Sequence, residues 1–231
     1  MTKTILITGS ARGIGFELAR QYSGAGWRVF ATTRTPDKAK QLNLLASSID
    51  NLTVHQMNVG DEQSVLSLAT EIKGQPIDVL LNNAGVFGGL ETQTFQKMDY
   101  DNWASEFNIM AMGPFRVIQA LLPNVMSGRQ KKIVTMSSQV AAHSYDHLIG
   151  YSYASAKAAV NRLMTGLAEE LKKDGVIVVP MHPGWVKTEM AGDVADIEPS
   201  ESADGIRQVI SSMTIADTGT FLKWDGDIHS W

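Results

Sequence analysis

The sequence predicts an α/β fold: a doubly wound, mostly parallel sheet of the Rossmann type, with about seven strands and helices on both faces. Three observations predict it. Short apolar or β-branched runs recur, and most are continuous rather than alternating, as in strands buried on both faces. Stretches with helical patterning separate them, which favours right-handed β-α-β units. No repeat, low-complexity tract or long linker divides the 231 residues, so a single domain spanning 1–231 is predicted.

The predicted strands, in chain order, are residues 4–8, 28–32, 52–57, 78–83, 132–137, 176–181 and 220–224. Helical patterning is clearest in residues 102–125 and 155–173. Segment 191–205 is the most polar. Because it follows the sixth strand, on the side where open α/β sheets bind ligands, it is expected to be either a lid over a ligand site or a surface loop.

Composition limits the classes of function. The net charge of −4 and the pI near 5.7 argue against a basic surface for nucleic acid or anionic membrane. The absence of cysteine excludes disulfides, a thiol nucleophile and a Cys-based zinc site. No apolar run reaches the ~18–20 residues of a membrane span, and the N-terminus lacks a signal-peptide pattern. A cytoplasmic protein that binds neither nucleic acid nor membrane is expected.

A glycine-rich turn, TGSARGIG (residues 8–15), follows the first strand and opens a helix. Glycines at 9, 13 and 15 would give a tight turn, room for a pyrophosphate and close helix–strand packing, while the helix N-terminus offers unpaired N–H groups to phosphates. The spacing differs from G-x-G-x-x-G, and the Gly-Lys-Ser/Thr ending of a P-loop is missing. A dinucleotide site of variant spacing is predicted here.

The stretch YSYASAK (residues 151–157) places Tyr153 and Lys157 four residues apart, on one face of a helix. An unperturbed tyrosine has a pKa of about 10, and a nearby cation favours its phenolate. Tyr153 is therefore predicted to be a general acid/base, with Lys157 lowering its pKa. An isolated pair at this spacing is more often solvated surface, so this prediction depends on the other motifs.

Taken in order, the motifs resemble those of the short-chain dehydrogenase/reductase family. The glycine turn, NNAG (82–85) and Y-x-x-x-K carry the resemblance, together with Asn108, the serine pair 137–138 and HPGWVKT (182–188). The ending GTFLKWDGDIHSW and the compact length look similar to the C-factor and sniffer-type carbonyl reductase branch. The resemblance covers residues 4–188. It implies an NAD(P)-dependent oxidoreductase of carbonyl or alcohol substrates that forms dimers or tetramers.

The resemblance also implies the remaining catalytic roles. Ser138 would donate a hydrogen bond to the substrate oxygen as charge develops there. Asn108 would hold a water that links Lys157 to solvent. Because the interval between Ser138 and Tyr153 is longer than is usual for the family, Ser137 stays an alternative to Ser138.

The end of the second strand predicts the cofactor. Thr33 stands where NAD-binding proteins carry an acidic residue for the ribose hydroxyl. Arg34 lies beside it, and Arg12 lies within the glycine turn. Two guanidiniums suit a 2′-phosphate, so NADPH is predicted and NAD is less expected. Asp37, the nearby acid, follows Pro36 and is expected to begin a helix.

The predicted cofactor contacts are Gly9, Ser10, Arg12, Gly13, Ile14, Gly15, Thr33, Arg34, Asn58, Val59, Asn82, Ala84, Gly85, Tyr153, Lys157, Pro183, Gly184, Val186 and Thr188. Asn58 replaces the aspartate that is usual for the family, and its side-chain oxygen can still accept from an adenine amino group. His143 and His147 are four apart, but their stretch lacks the H-E-x-x-H order and a third ligand. No metal site is predicted, and these histidines are expected to line the substrate pocket or to face water.

Two other functions compete with a reductase. One is a dinucleotide-binding sensor or signalling protein with little turnover. The intact Asn–Ser–Tyr–Lys set argues against it, since a binder needs only the glycine turn and the arginines. The other is a nucleotide-sugar epimerase or dehydratase, which would typically need a larger C-terminal substrate domain.

Overall fold

A computed structural model of the chain describes residues 2–146, 150–192 and 194–231. Its strands are β1 (Thr4–Ile7), β2 (Arg28–Thr33), β3 (Leu52–Gln56), β4 (Val79–Asn82), β5 (Lys132–Met136), β6 (Ile177–His182) and β7 (Leu222–Lys223). They form one sheet in the order β3-β2-β1-β4-β5-β6-β7, and every neighbouring pair is parallel. The predicted α/β fold with a parallel sheet of about seven strands is confirmed.

The α-helices are α1 (Gly13–Gly24), α2 (Lys40–Ser48), α3 (Glu62–Glu71), α4 (Tyr100–Phe107), α5 (Gly113–Ser127), α6 (Tyr151–Leu171) and α7 (Pro199–Ser212). A π-helical turn, Asn108–Met112, joins α4 to α5. The helix predicted over 102–125 is therefore three consecutive helical pieces.

Two apolar clusters cover the two faces of the sheet. Because successive side chains of a strand point to opposite faces, Ile5 and Ile7 of β1 pack towards α1, α2 and α7, whereas Leu6 packs towards α3, α5 and α6. The helices lie on both faces, as predicted, and they leave the carboxyl edge of the strands for the site.

Segment 191–205 is neither a continuous lid nor a continuous loop, because α7 begins within it. Pro199 occupies the first turn of α7, where its fixed φ and missing N–H cost nothing. Ser202 and Ala203 are fully buried on the inner face. The start of this helix was not predicted, because the segment is polar and the first buried residues of the helix are small.

The helical run Tyr100–Ser127 has the length and composition to cross a membrane, with a mean hydropathy of 1.2 in its most apolar window. Half of that window is buried inside the fold. Val117, Leu121 and Val125 pack in the cluster beneath the sheet. The run is therefore apolar because it is a core element of the fold.

We expect the protein to form a homodimer or homotetramer. Tyr100 on α4, Met112 on the π-helical turn and Tyr151 on α6 are large apolar side chains that stay exposed on three elements in contact with one another. A subunit interface on these elements would cover them. Light scattering at micromolar concentration should give two or four times 25.2 kDa. Met112→Arg should lower that mass, whereas Leu44→Arg on α2 should not. A wild-type mass of 25.2 kDa would contradict this expectation.

Candidate active site

The motifs found in the sequence meet at one edge of the sheet. The glycine turn follows β1 and the serine pair follows β5, whereas NNAG begins at the last residue of β4 and HPGWVKT at the last residue of β6. These four strands are neighbours in the sheet. Because parallel strands end at the same edge, the motifs surround one crevice, where open α/β sheets bind their ligands.

The glycine turn needs glycine for conformation and for space. Gly9 and Gly13 have φ of 70° and 55°, a region that other residues rarely adopt. A Cβ on Gly9 would lie 2.8 Å from the Cα of Ala84, and one on Gly15 would lie 2.3 Å from the carbonyl oxygen of Gly9. Asn83 holds the turn from the other side, since its Nδ2 donates to the carbonyl oxygen of Gly9 at 3.2 Å.

The N-terminus of α1 is open to an anion. Arg12 is the N-cap residue but makes no side-chain cap, and the first turn, which includes Ile14, contains no acidic side chain. The unpaired N–H groups and the positive end of the helix dipole therefore suit a phosphate. Ser10 contributes differently: its fully buried hydroxyl donates to the carbonyl oxygen of Ile7 at 2.9 Å and so fixes the turn to β1.

The segment after β6 lies over this turn. A Cβ on Gly13 would approach Cγ2 of Thr188 at 3.3 Å. Arg12 forms an exposed ion pair with Glu189, with 2.6 Å between Nη1 and Oε2. Pro183, Gly184 and Val186 belong to the same segment, in which Gly184 has a φ of 89° and Val186 is buried. The predicted contacts from the glycine turn and from HPGWVKT are thus brought together.

Strand β2 ends without a carboxylate, and an arginine follows its last residue. Thr33 is its last residue and is buried, whereas Arg34 is exposed. Within the described residues, the Arg34 guanidinium has no ion-pair partner. Asp37 lies in a short 3-10 helix, Pro36–Lys38, as its position after proline predicts. These groups fit a 2′-phosphate better than a ribose hydroxyl.

The remaining predicted cofactor contacts line the crevice beyond β3 and β4. Asn58 keeps its side-chain oxygen near the backbone, where it accepts from the N–H of Gly60 at 3.1 Å. The buried Val59 follows it. Asn82 is buried at the end of β4, where its Nδ2 donates to Oγ1 of Thr135 at 3.3 Å.

Helix α6 presents Tyr153 and Lys157 to the same crevice. The Lys157 Nζ lies 5.7 Å from the centroid of the Tyr153 ring and donates to the carbonyl oxygen of Met136 at 2.8 Å. A side-chain hydrogen bond joins Tyr153 to Ser138. The hydroxyl of Ser137 instead donates to Oδ1 of Asn161. Of the two serines, Ser138 is therefore the one that faces Tyr153.

Burial dominates the titration of both α6 side chains. It raises the pKa of Tyr153 to about 12; the hydrogen bond from Ser138 lowers that pKa, and the charge of Glu106 raises it. Burial lowers the pKa of Lys157 to about 8, and the charge of Glu106 opposes this. The lowering of the Tyr153 pKa predicted from Lys157 is therefore not seen in the chain alone, because Lys157 loses its proton before Tyr153 titrates.

The side chain of Asn108 bonds to the segment after β3 and to α5, and not to Lys157. Its Nδ2 donates to the carbonyl oxygen of Gly60 at 2.9 Å, and its Oδ1 accepts from Arg116 at 3.1 Å. The buried residue that this helical run places beside the lysine is Met110. Its Sδ would be 3.7 Å from a Cβ on Gly85, and the Lys157 Nζ would be 3.9 Å from the same point. The contacts of Asn108 give no support to the proton path predicted for it.

Three polar residues of the site were missed by sequence reasoning. Gln93 and Glu106 are buried and connect to α6. No motif marked them, because isolated Gln and Glu are usually exposed. His182 lies within HPGWVKT, and its Nδ1 accepts from the N–H of Gln139 at 3.3 Å. Burial lowers the pKa of His182 to about 4, so it is neutral near pH 7.

The structure describes one of the two histidines that the sequence analysis considered as metal ligands. His143 is exposed, and His147 lies outside the described residues. In the part of the chain that the structure describes, no group of three or more His, Cys, Asp or Glu side chains is arranged to hold a metal ion.

Gly9→Ala should weaken NADPH binding by at least about tenfold and lower the melting temperature. A side chain at positive φ costs roughly 1–2 kcal/mol, and the new Cβ would also displace Ala84. Fluorescence titration with NADPH and thermal unfolding measure both effects. Gly24→Ala is the control, since nothing lies within 4 Å of its added Cβ. Equal affinities for wild type and Gly9→Ala would contradict this role of the turn.

Comparison with known proteins agrees with this geometry. A model of the short chain dehydrogenase family matches residues 3–198. The C-signal protein of Myxococcus xanthus is 32% identical over 166 residues, which cover 71% of this chain and 99% of that protein.

Two solved structures superpose over the whole chain. The carbonyl reductase Sniffer of D. melanogaster gives a TM-score of 0.93 at 26% identity, with 100% of both chains covered. The NADPH-bound carbonyl reductase from chicken fatty liver gives a TM-score of 0.92 at 29% identity, covering 100% of this chain and 99% of that one.

Proposed function

This chain belongs to the short chain dehydrogenase family, and we propose that residues 1–231 form one domain that reduces a small-molecule carbonyl compound to an alcohol with NADPH. The observation that carries the proposal is the grouping of Ser138, Tyr153 and Lys157 on the crevice that the glycine turn opens. A protein that only binds a dinucleotide has no need of this group.

NADPH fits the side chains present. The uncapped N-terminus of α1 would hold the pyrophosphate, and Arg34 with Arg12 would hold the 2′-phosphate. Thr33 offers a ribose hydroxyl no carboxylate. The chicken carbonyl reductase with which this chain superposes was solved with NADPH bound.

Bound NADPH would supply a hydride to the carbonyl carbon. Ser138 would donate a hydrogen bond to the carbonyl oxygen and stabilise the negative charge that develops there. Tyr153 would transfer its phenolic proton to that oxygen, which completes the alcohol and leaves a phenolate. The ammonium of Lys157, on the same face of α6, would stabilise the phenolate until solvent reprotonates it.

The protonation state of Tyr153 near pH 7 suits reduction. Burial raises the pKa of Tyr153 to about 12, so the side chain is protonated near pH 7. Reduction consumes that proton, whereas oxidation of an alcohol needs the phenolate. We therefore expect carbonyl reduction to be the faster direction at neutral pH.

The test is a panel of four carbonyl classes: para-nitrobenzaldehyde, acetophenone, diacetyl and menadione. Loss of NADPH absorbance with at least one of them, and formation of the alcohol or hydroquinone, is the expected result. A folded protein that binds NADPH but turns over none of the four would overturn the proposal. It would favour the second candidate, a dinucleotide-binding signalling protein, to which the similarity with C-signal points. We also propose that the protein is cytoplasmic.

A further inference from the structure

A carboxylate is buried beneath the site without full hydrogen bonding. Glu106, in the last turn of α4, is fully buried. Its Oε1 accepts from the N–H of Gly88 at 2.7 Å and from Nε2 of Gln93 at 3.2 Å. Its Oε2 has no hydrogen-bond partner among the described residues. Burying a carboxylate costs several kcal/mol unless a charge or hydrogen bonds compensate it, so the setting of Glu106 needs an explanation.

Glu106 holds the residue that caps the catalytic helix. Gly150, before α6, provides no side-chain cap. Gln93 serves instead: its Oε1 accepts from the N–H of Tyr153 at 3.0 Å, and its carbonyl oxygen accepts from the N–H of Tyr151 at 3.3 Å. These are two of the N–H groups that the first turn of a helix leaves unpaired. Glu106 thus orients Gln93, and Gln93 fixes the start of α6.

A second connection runs through the loop after β4. Gly88, whose N–H donates to Glu106, follows Phe87 directly. The Phe87 ring meets the Tyr153 ring edge to face, with 5.3 Å between centroids. The carboxylate therefore supports the Tyr153 ring through the loop as well as through the helix.

Glu106 also supplies the negative charge that acts on the site. The titratable groups it affects are Tyr153 and Lys157 of α6. Its hydrogen-bond donors, the N–H of Gly88 and the Gln93 amide, are uncharged. Burial lowers the pKa of Lys157, and the carboxylate opposes that change. The negative charge thus favours the ammonium form of the lysine.

Two other residues of the same helical run do not take this role. The side chain of Asn108 is already hydrogen-bonded to Gly60 and Arg116. The side chain of Met110, which lies beside Gly85, is apolar. We propose that Glu106 is a positioning residue of this enzyme, which fixes Tyr153 through Gln93 and through the loop that carries Phe87. Its negative charge, which acts on Lys157, is a second contribution to the same site. This proposal rests on the reductase function proposed above.

Two variants separate the two effects. Glu106→Gln keeps the length of the side chain and removes its charge, whereas Glu106→Asp keeps the charge and shortens the reach to Gln93 and Gly88. The measurement is kcat/KM against pH, with the member of the carbonyl panel that wild type reduces fastest. Its alkaline limb reports loss of the protons that reduction requires. Asp101→Asn, which removes an exposed carboxylate from the same helix, is the control.

In Glu106→Gln the alkaline limb should move to lower pH by about one unit, because removing a nearby negative charge lowers the pKa of both α6 groups. In Glu106→Asp the limb should stay in place while kcat falls by about tenfold, as expected for a misplaced general acid. Asp101→Asn should match wild type. Melting temperatures and NADPH affinities establish that each variant is folded.

An unmoved limb in folded Glu106→Gln would overturn the charge role, and wild-type kcat in Glu106→Asp would overturn the positioning role. If Glu106→Gln fails to fold, Glu106→Asp still decides whether the carboxylate positions Tyr153. If the proposed reductase function were wrong, the result would differ from both of these, because the wild-type protein itself would reduce no carbonyl compound.

Discussion

Replacing Tyr153 with phenylalanine should lower kcat for carbonyl reduction by about 10²–10⁴-fold, the usual contribution of a positioned general acid. The variant removes one hydroxyl and retains the ring that packs against Phe87. The NADPH affinity should stay close to that of wild type, because the predicted phosphate contacts lie on the glycine turn and at the end of β2. Steady-state kinetics and NADPH fluorescence titration measure the two quantities.

Tyr151→Phe is the matched control. Tyr151 begins α6 and is partly exposed, so its hydroxyl should be dispensable. Near-normal turnover in Tyr153→Phe together with loss of turnover in Tyr151→Phe would show that the wrong tyrosine of YSYASAK had been assigned.

Arg34→Ala should weaken NADPH by roughly 10–100-fold and leave NADH almost unchanged. A charge-assisted hydrogen bond to the 2′-phosphate is worth about 1.5–3 kcal/mol, and 1.4 kcal/mol is about tenfold in affinity. Arg12→Ala should have a smaller effect, because Glu189 already pairs with Arg12 and competes with the phosphate. Arg20→Ala, an exposed arginine elsewhere on α1, is the control.

Thr33→Asp should invert the preference between the two dinucleotides. The new carboxylate would repel a 2′-phosphate and accept from the 2′-hydroxyl of NAD. Values of kcat/KM for NADPH and NADH, measured in wild type, Arg34→Ala and Thr33→Asp, test whether these residues set the cofactor preference. A wild type that prefers NADH, or equal loss of both cofactors in Arg34→Ala, would assign these residues another role.

Local chemistry explains which parts of the site could be predicted from sequence. The glycines at positions 9, 13 and 15 and the pair Tyr153–Lys157 each lie within a few residues of one another, so their spacing, read together with the order of the other motifs, identifies them. Strands β1 to β6, which have four to six residues each, were found because continuous apolar runs of that length suit a sheet covered on both faces. The start of α7 at Pro199 was missed, because its buried face begins with serine and alanine.

Glu106, Gln93 and Met110 could not be predicted because their roles depend on packing between distant segments. A glutamate in an amphipathic helix is ordinarily expected on the exposed face. Here α4 packs against α6, and the Glu106 side chain bonds to the loop after β4 and is buried. Asn108 matched the expected residue type, but the π-helical turn directs its amide to Gly60 instead.

That turn also bears on how the chain tolerates changes in length. A π-helical turn holds one residue more than the α-helical path it replaces, so α4 and α5 are offset by about 100° relative to an uninterrupted helix. Loss of one residue between Asn108 and Met112 would restore ordinary pitch, whereas a further insertion would not. In the evolution of this helical run, single-residue deletions should therefore survive more readily than insertions. A deletion that removes the extra residue keeps Glu106 in place relative to the core face of α5, whereas an insertion would rotate it by about 100°.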